Sequence, residues 1–71
     1  MYQHEVFTNS SASALLLAAG LVGADTHAYP VQGDTELHCV TVVRRYDRDE
    51  MVSILDRMNI DYIDVVTTFA I

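Results

Sequence analysis

The stretch ELHCVTVVRRYDRDEMVSILDRMN, residues 36–59, changes its period halfway along. Its first eleven residues are rich in β-branched side chains and free of Gly and Pro, which is the composition of a strand. Asp47, Asp49 and Glu50 then open a helix, where the backbone dipole favours negative charge. Met51, Ile54, Leu55 and Met58 follow at i, i+3, i+4 and i+7, so that helix has one apolar face, and Asn59 suits its exit. Residues 61–71, DYIDVVTTFAI, return to period two, with Ile63, Val65, Thr67, Phe69 and Ile71 on one side of a last strand. Strand, helix and strand in this order make one half of a split βαβ unit.

Toward the N-terminus the same grammar repeats. Residues 25–31 (DTHAYPV) are extended, and Gln32-Gly33-Asp34-Thr35 makes a turn with Gly33-Asp34 at its centre, so a hairpin joins them to the strand at 36–46. With that turn, facing residues place His38 opposite Tyr29 and His27 opposite Val40. Earlier still, YQHEVFT at 2–8 reads as a strand that stops at Asn9 and a serine cluster. Ser10 or Ser11 can cap a helix over 11–22, because a side-chain oxygen there accepts an otherwise unpaired amide. Leu15, Leu16, Ala19 and Val22 fall at helical spacing as its apolar face, which Leu17 and Leu21 widen. Gly20 weakens the helix and Gly23 can end it.

The order β-α-β-β-α-β predicts an α+β fold, a ferredoxin-like two-layer sandwich with a four-stranded antiparallel sheet and two helices on one face, in a single domain over 1–71. The second and fourth strands are the edges of such a sheet. Pro30 lies in the second, where a missing amide costs least.

Composition narrows the function classes. Half of the 71 residues (51%) are hydrophobic, so the chain folds rather than staying disordered. A core this small is marginal and benefits from a metal, a disulfide or a second subunit, yet Cys39 is the single cysteine. Ten acids against four arginines give a net charge of −6, which disfavours direct contact with nucleic acid or anionic lipid. The apolar run at 14–24 is too short for the ~20 residues that span a bilayer, and no cation precedes it as a secretory signal requires. A buried helix is expected there, and the lone thiol points to a reducing, cytoplasmic setting.

Candidate chemistry is sparse. His38 and Cys39 are adjacent on a strand and point to opposite faces, so they cannot share an ion without a bulge, and His4 and His27 add no pair; no metal site and no cofactor are expected. Cys39 reads as a small buried apolar residue rather than a nucleophile, because no histidine is expected on its face. The chain is not expected to be an enzyme.

Two surfaces are left for partners. On the strand at 36–46, Leu37, Cys39 and Val43 point one way and Val40 and Val42 the other; on the last strand Tyr62 and Val66 oppose Ile63, Val65 and Phe69. Two helices cover one face only, so Val40, Val42, Tyr62 and Val66 are expected to form an apolar sheet face for a second copy or a partner. The uncharged end of the last strand, on an edge, is a further site for pairing between chains. The second surface is acidic: Asp47, Asp49, Glu50, Asp61 and Asp64, with Arg44, Arg45 and Arg48 as counter-contacts or internal pairs, facing a basic protein. In size and acidity the chain is similar to small phage-encoded antagonists such as anti-CRISPR proteins. That likeness implies a non-enzymatic inhibitor of a nucleic-acid-binding protein or complex, as a homodimer or in a heteromeric complex. The alternative is an ACT-like regulatory dimer holding a small ligand near Asn9, Ser10 and Ser11, at the outward-pointing amides of the helix start.

Overall fold

A computed structural model describes residues 1–30 and 36–69 of the chain. Its elements are β1 (Tyr2–Thr8), α1 (Ser11–Gly20), β2 (Asp25–Pro30), β3 (Glu36–Arg44), α2 (Arg48–Arg57) and β4 (Asp64–Phe69). All strand pairs are antiparallel, in the order β2-β3-β1-β4, and the βαββαβ topology is that of a ferredoxin-like sandwich. The edges are β2 and β4, so Pro30 does sit on an edge strand.

The caps follow from the residues. The Ser10 hydroxyl accepts the Ser13 amide at 3.2 Å, and the Asp47 carboxylate accepts the Glu50 amide at 3.1 Å. Asn59 leaves α2 with φ 59°, a left-handed turn that Asn tolerates. At the other helix the sequence overshoots: α1 closes at Gly20, with Leu21 as its C-cap, and Gly23 takes φ 81° in the turn beyond. Gly20 is also where the helices approach. A Cβ there would lie 2.6 Å from the terminal methyl of Met58, so glycine makes room for that side chain.

The core lies between the sheet and both helices. Val6, Val40, Val42 and Val65 from the sheet meet Ala14, Leu17 and Leu21 from α1 and Met51 and Leu55 from α2. This places Val40 and Val42 under the helices, at 0% and 2% exposure, and corrects the expectation that they line a free sheet face. Tyr62 packs half-buried against the same core, so of the four residues assigned to that face only Val66 is exposed. Register decides the matter. Val6 stands opposite Val40 on one side and Val65 on the other, so the three valines share the helix-covered face. The pattern of β3 alone offers no choice, because both of its faces carry apolar side chains.

Three further expectations change. The stripe of α1 that is buried is Ala14, Leu17 and Leu21, whereas Leu15, Leu16, Ala19 and Val22 are exposed. In the hairpin, Ala28 faces His38 and His27 faces Cys39, one residue away from the pairing a Gly33-Asp34 turn would give; the turn residues themselves lie outside the described residues. The last strand begins at Asp64 rather than Asp61 and leaves Ile63 exposed, while Ile71 lies outside the described residues.

Candidate interaction surface

The uncovered face of the sheet is mixed. Gln3, Glu5 and Phe7 on β1, Leu37, Cys39, Thr41 and Val43 on β3, and Asp64, Val66 and Thr68 on β4 share it, as the pairings Glu5 with Thr41 and Phe7 with Asp64 require. Apolar Phe7, Leu37, Cys39, Val43 and Val66 thus share it with polar neighbours; Cys39 is buried there, while Val43 and Val66 are each about two-fifths exposed.

A further exposed apolar surface lies along α1, apart from Ile63 and Phe69 at β4. From Ser11 to Gly23 the chain has no charged residue, and a helix that is apolar all round normally buries both faces. Here only the inner face is covered. Leu15 is 70% exposed, Leu16 53% and Val22, just past the helix, 89%, with Ala12 and Ala19 exposed among them. The absence of charge in residues 11–23 was the sequence signal for this surface. Spacing alone says that a helix has faces, not which of two apolar faces meets the sheet.

The five acids proposed as one patch are divided. Asp47 caps α2 next to Tyr46, whose carbonyl accepts from His4, while Asp61 places its carbonyl on the Thr8 hydroxyl. His4 and Thr8 are four residues apart on β1, about 13 Å along an extended strand. Asp47 therefore lies toward one end of the sandwich and Asp61 toward the other, while Arg48, next to Asp47, reaches the carbonyl of Val65 beside Asp64. Several have local roles: Glu50 approaches Arg57 at 3.8 Å between exposed side chains, and Asp64 accepts the Val65 amide at 2.8 Å. Of the arginines, Arg44 donates to the Val22 and Val43 carbonyls and Arg48 to the Val65 carbonyl, while Arg45 is exposed.

The titratable and nucleophilic groups are accounted for similarly. His4 is fully buried, with Nε2 2.9 Å from the Tyr46 carbonyl and Nδ1 2.8 Å from the Thr67 hydroxyl, and its ring stacks on that of Tyr46. A carbonyl can only accept, so Nε2 carries the proton. The observed register does bring a histidine beside Cys39, since His27 is its cross-strand neighbour, which reverses one premise of the sequence reading. The thiol is nevertheless poorly suited to attack. Burial pushes its pKa above the ordinary value, the Thr41 hydroxyl at 3.7 Å pulls the other way, and the Glu5 carboxylate at 4.0 Å adds to the rise. Among the described residues no three His, Cys, Asp or Glu side chains converge as a metal site would need.

In the segment Asn9 to Ser11, assigned to a ligand in the regulatory reading, Ser10 spends its polar groups locally. The Ser10 amide donates to Thr8 Oγ1 and its hydroxyl caps α1, while Ser13 Oγ accepts the Asp61 amide. Among the described residues no helix is long and apolar enough to cross a membrane. Comparison of the chain with protein-family models, with curated proteins and with solved structures finds no match.

Proposed function

We propose that this chain is a small acidic interaction protein that acts by binding a macromolecule rather than by catalysis. The observation that carries the reading is the uncharged helix α1, which buries one apolar face and presents a second to water. Contiguous exposed apolar surface of this kind marks association sites. The net charge of −6 supports a basic partner, and acids at both ends of the sandwich suit a protein whose own ligand is a phosphate backbone. The finer reading is therefore an antagonist of a nucleic-acid-binding protein or complex, comparable in role to an anti-CRISPR protein, working in the reducing cytoplasm that a single free thiol favours.

The test begins with immobilised chain and a lysate of the cells that express it. A captured protein must then lose its DNA or RNA when purified chain is added. Its affinity for the chain should fall steeply with salt and in Asp49→Asn and Glu50→Gln variants. A captured protein whose nucleic-acid binding is unchanged by the chain overturns the antagonist reading. Binding that ignores both salt and these substitutions removes the electrostatic basis for it.

A further inference from the structure

We infer that the outer face of α1 is a self-association surface, on which a second copy of the chain packs with its own α1 antiparallel, about a two-fold axis. The inference rests on the reading of the chain as an interaction protein and names what covers that surface.

Charge restricts the choice first. Two copies each carrying −6 repel, and they can approach closely only where charge is missing. Ser11 to Gly23 lies inside the longest such stretch of the chain, Val6 to Ala24. Shape points the same way. Its exposed apolar side chains are Ala12, Leu15, Leu16, Ala19 and Val22, two small and three large. In an antiparallel pair centred on this face, Leu15 meets Ala19 of the partner subunit and Val22 meets Ala12 of the partner subunit. Leu15 and Val22 then each face a small side chain, Leu16 packs at the side of these contacts, and the two-fold operation repeats both. A parallel arrangement would stack leucine on leucine and alanine on alanine.

The rim is complementary as well. The Asp61 amide is held by Ser13 at the N-terminal end of α1, and the Arg44 guanidinium donates to the Val22 carbonyl at the C-terminal end. Antiparallel packing brings Arg44 toward Asp61 of the partner subunit, twice over, and opposes the two helix dipoles. Asp25, next in the chain, shares the opposite face of the sheet with Thr41, its cross-strand neighbour. Size sets the strength. A helix ~15 Å long and ~10 Å across offers less than the ~800 Å² per partner of a standard interface, so the dimer is weak and reversible.

Sedimentation equilibrium over a concentration series tests this directly. A monomer–dimer equilibrium is expected, tightening as salt screens the mutual repulsion, which is opposite to the salt response of an acidic chain on a basic partner. Leu16→Glu should weaken dimerisation at least tenfold while circular dichroism stays native, because this side chain leaves the core untouched. A separate measurement fixes the orientation. Leu15→Cys chains mixed with Ala19→Cys chains should form the mixed disulfide in preference to either symmetric one. A monomer at every concentration, a dimer indifferent to Leu16→Glu, or cross-linking of Leu15→Cys chains mainly to one another overturns the proposal. A monomer that still strips nucleic acid from a captured partner would overturn the dimer alone and leave the proposed function standing.

Discussion

Arg48, in the first turn of α2, donates through Nε to the main-chain carbonyl of Val65 on edge strand β4 at 3.1 Å. The Asp64 carboxylate accepts the amide of the same residue at 2.8 Å. Both main-chain groups of Val65 are thus held by side chains, and a strand arriving from another molecule finds them occupied. Sheet edges left open recruit other chains, and charged side chains at the edge are a common remedy. The uncharged end of β4, from the sequence a candidate for pairing between chains, is guarded at its start.

Removing the guard should cost little stability and much solubility. Arg48→Ala with Asp64→Ala is expected to lose about 1 kcal/mol per hydrogen bond in urea unfolding. On gentle heating the double variant should scatter light earlier than the parent chain. Equal aggregation rates for the two would show that these contacts do not protect the edge.

The buried histidine makes a second case. His4→Phe preserves bulk and stacking on Tyr46 but leaves the Tyr46 carbonyl and the Thr67 hydroxyl without their partner. Burying unsatisfied polar groups costs ~1–3 kcal/mol each, so the variant should unfold at clearly lower urea. Thr67→Val alone should cost about 1 kcal/mol, and a double-mutant cycle should reveal coupling between the two positions. Additive losses would mean that the 2.8 Å contact contributes nothing.

A comparison of neighbours checks which face of α1 is inside. Leu17→Ala, in the core, should lose ~2–5 kcal/mol. Leu16→Ala, half-exposed on the opposite face, should stay within about 0.5 kcal/mol at concentrations where the chain is monomeric. The reverse ranking in chemical denaturation would turn the helix over.

The pH dependence of Cys39 follows from its raised pKa. The unfolded chain ionises its thiol near the ordinary value of ~8.5, while the folded chain holds the proton to higher pH. Above that value the folded state binds more protons, so stability falls as pH rises, and below it the thiol contribution is fully present. The decline in unfolding midpoint between neutral and alkaline pH should be shallower in Cys39→Ala than in the parent. The native thiol should also react slowly with a disulfide reagent until the chain is unfolded.

The order of elements was legible in the sequence because each element announces its own period: two for YQHEVFT and DVVTTF, 3.6 for MVSILDRM. The caps Ser10 and Asp47 and the left-handed exit at Asn59 are equally local, since each depends on groups within three or four residues. Topology followed from that order, because two split βαβ halves have few ways to close into one sheet. What local chemistry does not determine is the side from which a two-faced element is covered. In β3 and α1 both faces are apolar, so the sequence pattern is satisfied equally by burying either. Only the pairing of Val6 with Val40 and Val65, and the packing of Leu17 against that face, chose between them. The same choice left Leu15 and Leu16 in water, placed His27 beside Cys39 and separated Asp47 from Asp61. Those relations join residues far apart in the chain, and they exist only once the sheet has its register.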